Sequence, residues 1–271
     1  MMNPYSEKKL KALSINDLVG MKKTGEKITC LTVYDASFSS LLDRVGIDVM
    51  LVGDSLGMVI QGQASTIPVT VEHMIYHSQC VSRVRQRAFI ITDLPFSSYS
   101  TTEKALDNAA RIMQQGGAQM VKLEGPHFKV IQHLAEQGIP VCAHLGLLPQ
   151  SINQLGSYKV QGKEPVSAEQ ILNDALKVEE SGAAMLVLEC IPALLAAEIS
   201  KVLSIPVIGI GAGVDCDGQV LVLYDILNIN SGRRPKFYRD FIGEAGSIEQ
   251  AVALYHQAVK QCQYPAVEHC Y

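Results

Sequence analysis

The chain has 271 residues, 48% of them apolar and 18% charged, a composition too apolar for disorder. With 23 Lys and Arg against 27 Asp and Glu, the formal charge is −4, which excludes the basic excess of a nucleic-acid binder. No apolar run approaches the roughly 20 residues of a membrane span; the stretch Met1–Lys11 lacks the apolar core of a signal peptide, and 7 scattered cysteines with no C-x-x-C pair fit a reduced, cytoplasmic protein.

In chain order, Ser14–Met21 reads as a short helix capping the bottom of the fold. Apolar runs then recur at Ile28–Tyr34, Val49–Val52, Phe89–Thr92, Met120–Leu123, Pro140–His144, Met185–Leu188, Pro206–Ile210 and Val220–Tyr224. Each is short and rich in Val, Ile and Leu, the pattern of a strand buried on both faces. Helical patterns lie between most of them. One face of a helix after Thr70 carries Val71, Met74, Ile75, Ser78, Val81 and Val84. Ser100-x-x-Glu103 and Ser167-x-x-Gln170 read as capping boxes, the first running to a Gly116-Gly117 stop and the second to Gly182. Ser247-x-x-Gln250 opens a helix near the C-terminus. The segment Gly146–Val166 has no periodicity and is a candidate lid.

Strands alternating with helices predict an α/β fold, a single (β/α)8 barrel domain over residues 1–271 with a short N-terminal helix and a C-terminal helical extension. An open doubly wound sheet is the alternative architecture.

The ends of the strands carry the chemistry. Four apolar runs end in an acid, at Asp54, Asp93, Glu124 and Glu189, and barrel active sites lie at the C-terminal ends of the strands. Asp54, Asp93 and Glu124 end strands two, three and four. Neighbouring strands are roughly 4.8 Å apart, so these acids can converge. Crowded carboxylates repel one another, and a hard divalent cation removes that cost; oxygen-only ligands favour Mg²⁺, with Mn²⁺ as the alternative. Lys122 shares a strand face with Glu124 and is placed for an anionic substrate. Glu189 ends strand six, across the mouth, where an apolar setting raises its pKa and suits it to act as a base.

Other features carry less. Gly209-Ile210-Gly211-Ala212-Gly213 follows strand seven, where barrels often hold phosphate, although its glycines also suit a tight turn. His73 and His77 have metal-pair spacing but no third ligand, so packing or surface roles are expected. His144 faces the mouth either as a hydrogen-bonding group or as a core histidine. Asp35 and Asp225 also end strands and are expected to cap helices or form ion pairs. The cluster Arg233-Arg234-Pro235-Lys236 is expected to be solvated surface, with anion binding the lesser reading.

The segments Val52–Met58, Asp93-Leu94-Pro95-Phe96, Val121–Gly125, His144–Ser151, Tyr158–Lys163, Leu188–Pro192 and Ile208–Gly213, in this order, resemble the ketopantoate hydroxymethyltransferase family. The likeness runs from about Ser14 to Phe241 and leaves the last thirty or so residues outside it. It implies a (β/α)8 barrel that moves a hydroxymethyl group from 5,10-methylenetetrahydrofolate to 3-methyl-2-oxobutanoate, giving 2-dehydropantoate for pantothenate biosynthesis. It further implies one Mg²⁺ per subunit among Asp54, Asp93 and Glu124. Asp54, Ser55, Asp93 and Lys122 would contact the oxo acid, Glu189 would be the base, and the subunits would form a homodecamer. On this reading Gly209–Gly213 shapes the folate site rather than holding phosphate. Two positions depart from the family pattern: Tyr224-Asp225 stands where His-Asp is expected, and Asn228 where Gly is usual.

The expected mechanism has Glu189 removing the C3 proton of a metal-chelated oxo acid, the enolate attacking the folate's methylene carbon, and the segment Gly146–Val166 closing to keep water out. Two alternatives stand beside it: a Mg²⁺-dependent oxo-acid lyase or mutase on the same barrel, and a non-catalytic barrel that binds small acids.

Overall fold

A computed structural model of the chain describes residues 11–229 and 234–271. The expectation for Met1–Lys11 therefore falls almost wholly outside the described residues, as does Arg233. The apolar runs form β1 (Ile28–Thr32), β2 (Val49–Val52), β3 (Phe89–Asp93), β4 (Met120–Glu124), β5 (Val141–Gly146), β6 (Met185–Glu189), β7 (Val207–Ile210) and β8 (Gly218–Leu221). They pair in chain order, all parallel, and β8 closes on β1 with Ile28 opposite Gly218 and Leu31 opposite Leu221. The predicted closed barrel is present; the open sheet is not.

The helices are α1 (Ile15–Thr24), α2 (Ala36–Val45), α3 (Leu56–Val59), α4 (Val71–Ser82), α5 (Thr102–Gly116), α6 (Phe128–Glu136), α7 (Ile152–Leu155), α8 (Pro165–Glu180), α9 (Ala193–Val202), α10 (Leu223–Ile226), α11 (Phe241–Ala245) and α12 (Ile248–Lys260). Strands β1 to β4 are buried along their whole length. That follows from their Val/Ile/Leu content, since one face fills the barrel and the other meets the helices.

Local chemistry sets the helix starts. Thr70 and Ser247 cap α4 and α12 through their hydroxyls, and Asp35 caps α2, its carboxylate accepting from the Phe38 N–H. Two boundaries differ from expectation. Thr101 rather than Ser100 caps α5, because its backbone is the one still extended and its hydroxyl accepts from the Lys104 N–H. Helix α8 begins at Pro165, whose fixed φ suits the first helical position; the Ser167 hydroxyl instead turns back to the Glu164 carbonyl at 2.8 Å.

Strand β8 lies two residues ahead of its predicted start, because Gly218-Gln219 carries no apolar pattern to mark it. Tyr224 and Asp225 consequently sit in α10 and do not end a strand. The segment Gly146–Val166 is not structureless: Pro149–Ser151 forms a 3₁₀ turn that runs into α7.

Helix α1 closes the base of the barrel, and α12 packs against its side. Helix α1 lies there as expected, with Lys22 Nζ on Asp217 Oδ2 at 2.5 Å and the Leu13 N–H on the Arg87 carbonyl at 2.8 Å. The C-terminal extension supplies α12, which packs on β1 and α2. Its Tyr255 hydroxyl lies 2.9 Å from both the Cys30 and the Gln219 carbonyls, and Lys260 joins Arg87 on the buried Asp48, each at 2.8 Å.

Gly146 ends β5 with φ 96°, and a Cβ there would overlap the Glu189 backbone oxygen and crowd Ile191. Gly146→Ala should therefore lower stability by more than about 2 kcal/mol in urea unfolding. Gly138→Ala, also left-handed at φ 76° but facing open space, should cost about 1 kcal/mol. Equal losses would show that crowding at Gly146 is not the cause.

Candidate active site

Parallel register carries the strand-end acids into one place. Asp93 pairs with Lys122, Glu124 with His144, and Gly146 with Glu189. Alternation along each strand turns Lys122 and Glu124 the same way. All of the acids line one cavity of about 900 Å³, together with Ser55 and His144.

The floor is a hydrogen-bonded acid set. Lys122 Nζ donates to Asp93 Oδ1 at 2.8 Å, the two side chains being 6% and 4% exposed. Asp93 Oδ2 accepts from the Asp54 backbone N–H at 3.0 Å. Asp54 Oδ2 accepts from Gln150 Nε2 at 2.8 Å, and Glu124 Oε2 accepts from the Gln150 backbone N–H at 2.9 Å. Ser55 Oγ lies 2.8 Å from the Tyr34 hydroxyl.

One ammonium thus faces three buried carboxylates. Burial, then the charges of Asp93 and Glu124, push the Asp54 carboxyl well above the usual range. Burial also raises Glu124, against the pull of Lys122. For Lys122 burial works in the other direction, but Asp93, Glu124 and Asp54 outweigh it and hold the ammonium protonated.

Glu189 faces this set from β6. Burial lifts its carboxyl to about 7, Lys122 opposing and Asp93 adding to the shift. His144 stands between the acids, with Nε2 3.3 Å from Glu189 Oε2 and Nδ1 3.7 Å from Glu124 Oε1. Neither ring nitrogen has a hydrogen-bond partner among the described residues. Burial and the Lys122 charge drive its pKa well down, so the imidazole is neutral. Buried polar atoms without partners in a cavity wall mark a place where a ligand or water completes the bonding.

The outer wall was not foreseen. Tyr158, Phe237 and Tyr271 line it with Arg234 and Lys236. Both cations are exposed, as expected of them, and they also line the cavity. Arg234 stacks 4.6 Å over Tyr238 and donates to Asn228 Oδ1 at 2.5 Å; Lys236 lies 5.5 Å over the Tyr271 ring and donates to the Cys270 carbonyl. The Tyr271 carbonyl accepts from the Ala193 N–H at 3.0 Å. A Cβ on Gly211 would strike Phe237 and Tyr271, so the loop after β7 is glycine-rich where the wall packs against it. His73 and His77 do not pair: His73 bonds the Thr70 N–H, while His77 Nδ1 lies 2.8 Å from the Tyr34 carbonyl.

Gln150 and Tyr271 were missed because only tertiary contacts reveal them. Gln150 did lie within the segment His144–Ser151, but no spacing rule marks an amide.

Among the described residues, no three His, Cys, Asp or Glu side chains form a ready-made cage for a metal ion. The donor chemistry nevertheless fits a hard divalent cation. The acceptors at the floor are carboxylate oxygens, three acids stand against the one ammonium of Lys122, and Mg²⁺ is commonly held by one or two carboxylates with water and substrate oxygens completing the shell.

A sequence model described as ketopantoate hydroxymethyltransferase matches residues 12–267. The chain is similar to a protein of Nitrosococcus oceani named 3-methyl-2-oxobutanoate hydroxymethyltransferase, 54% identical over 96% of this chain and 99% of that one. Relatives of the same name from Idiomarina loihiensis (56% identical, over 95% and 97%) and Ralstonia pickettii (50%, over 100% and 100%) match as fully. Among solved structures, a putative phosphonomutase from Burkholderia cenocepacia superposes with TM-score 0.62 at 13% identity, over 79% of this chain and 94% of that one. A phosphoenolpyruvate phosphomutase from Streptomyces platensis gives 0.60 at 10%, over 80% and 83%. These two share the barrel and too little sequence to say more. With a family match over nearly the whole sequence and relatives at half identity or better from end to end, the chain belongs to the ketopantoate hydroxymethyltransferase family.

Proposed function

We propose that this chain is a one-carbon transferase that moves a hydroxymethyl group from 5,10-methylenetetrahydrofolate to 3-methyl-2-oxobutanoate, giving 2-dehydropantoate. The observation that carries the reading is a base-suited acid, Glu189, facing a buried Lys122 and an excess of carboxylates across one cavity, in a chain of this family. The lyase or mutase alternative has only a shared barrel behind it.

Lys122 and Ser55 hold the carboxylate of the oxo acid at the floor, with Asp54 and Asp93 beside it. Glu189 takes the C3 proton, and the C–H electron pair becomes the C2–C3 double bond of an enolate. One water opens both C–N bonds of the methylene bridge, its oxygen staying on that carbon and its two hydrogens going to the two nitrogens of the departing tetrahydrofolate; C3 of the enolate then bonds to that carbon, and its oxygen takes the proton from Glu189, so the lid has to meter water rather than exclude it. Asp54, Asp93 and Glu124 would hold Mg²⁺, one per subunit, which when bound would supply Lewis-acid stabilisation of the enolate's charge. The outer wall of Tyr158, Phe237, Tyr271 and Lys236 offers aromatic surface and positive charge for the folate, whose bulk the small oxo acid leaves room for in about 900 Å³. The cytoplasmic homodecamer belongs to the same proposal. No helix among the described residues is long and apolar enough to cross a membrane.

The direct test supplies 3-methyl-2-oxobutanoate, methylenetetrahydrofolate and Mg²⁺ and looks for 2-dehydropantoate. Product that forms without folate, or persists under a strong chelator, would overturn the reading.

Exchange of the C3 hydrogen for deuterium without folate isolates the Glu189 step. The base is the carboxylate, populated above a pKa of about 7, so exchange should rise about tenfold per pH unit below that value and level off above it. Glu189→Gln should cut exchange by about 10²–10⁴. Undiminished exchange in that variant would remove Glu189 as the base.

Backbone hydrogen exchange over residues 147–164 should slow when both substrates bind. An unchanged pattern would count against closure.

A further inference from the structure

Gln150 is only 4% exposed, and its hydrogen bonds reach three elements. Its Nε2 donates to Asp54 Oδ2 at 2.8 Å and to the Leu94 carbonyl at 3.0 Å. Its backbone N–H donates to Glu124 Oε2 at 2.9 Å. Its Oε1 accepts from the Tyr99 hydroxyl at 2.5 Å, and that hydroxyl also lies 3.4 Å from the Glu124 carbonyl and N–H. Both side-chain N–H groups are therefore committed, and the amide cannot turn without losing both.

We propose that Gln150 is a positioning residue that presets Asp54 and Glu124 for a divalent cation and makes that setting depend on the order of the loop after β5. The proposal rests on the cation reading above. Gln150 pins one oxygen of each carboxylate and leaves Asp54 Oδ1 and Glu124 Oε1 with no hydrogen bond among the described residues. A neutral amide orients the carboxylates without cancelling their charge, so the excess of negative charge at the floor stays available. A lysine in its place would neutralise one acid, and a glutamate would repel both.

The loop enters because Gln150 sits in the 3₁₀ turn Pro149–Ser151, which leads into α7. If this turn lifts, Asp54 and Glu124 lose their orienting donors together. By linkage, anything that fixes the two carboxylates must also favour the ordered turn, by the same factor.

The test uses Mn²⁺ as a paramagnetic probe, titrated into the full chain without either substrate and followed by electron paramagnetic resonance. Gln150→Met keeps the length and removes the side-chain hydrogen bonds; Tyr99→Phe removes only the hydroxyl that holds Oε1. Loss of such outer partners typically weakens metal binding about 10–100-fold, which is the effect expected for Gln150→Met. A weaker effect in the same direction is expected for Tyr99→Phe. Mn²⁺ should also slow backbone hydrogen exchange at residues 148–155 in the wild type and do so less in Gln150→Met, which keeps only the backbone bond to Glu124.

A folded Gln150→Met with wild-type Mn²⁺ affinity would overturn the proposal. Should that variant not fold, Tyr99→Phe decides, and unchanged affinity there overturns it. A wild-type chain that binds no Mn²⁺ sinks both this proposal and the cation reading. Mn²⁺ binding that responds as expected, with no 2-dehydropantoate in the product assay, would leave this proposal standing and sink only the transferase reading.

Discussion

Buried charge at the barrel mouth constrains everything around it. Asp54, Asp93, Glu124 and Glu189 share a cavity with a single close ammonium, Lys122. Lys122 is committed to Asp93, and breaking such a buried pair by removing one partner typically costs about 3–5 kcal/mol. Among the described residues, no Lys or Arg pairs with Asp54, Glu124 or Glu189. Their carboxyls are pushed up, which is the signature of groups that bind protons until a better cation arrives. On the proposed reading, the charge excess suits the floor to a divalent ion. Burial, with a smaller push from Asp93 against the pull of Lys122, lifts Glu189 to about 7, where a carboxylate is both populated and basic.

Closure of the sheet makes that arrangement rigid. Because every strand is parallel and paired in order, the register fixes which side chains share a level: Asp93 with Lys122, Glu124 with His144, Gly146 with Glu189. A slip of one residue would turn Lys122 and Glu124 out of the barrel. Gly146 then matters beyond its own turn, since its missing side chain leaves room for the backbone that carries Glu189.

The barrel and its acids were legible because strands buried on both faces read as unbroken apolar runs, and an acid ending such a run stands out. The strand-end logic located Asp54, Asp93, Glu124, Glu189 and Lys122 in one cavity. It failed at β8, where Gly218 and Gln219 are strand residues without apolar character. Helix starts were legible to within three residues: competing hydroxyls at Ser100 and Thr101, and Pro165 ahead of Ser167, are resolved only by the backbone itself. Gln150 and Tyr271 left no local pattern, and Arg234 and Lys236 showed only as a short basic cluster. They reach the cavity from a turn, a loop and the last residue of the sequence, Gln150 through contacts up to 96 residues away.

The levels inside the barrel also have depth. Along the strands, Lys122, paired with Asp93, comes two residues before Glu124, and Gly146, paired with Glu189, comes two after His144. A small acid bound at the bottom is covered by whatever occupies the outer wall. On the proposed reading, turnover is then a compulsory sequence, in which the oxo acid enters first and leaves last as product, and a bulky pterin arriving early would be a dead end.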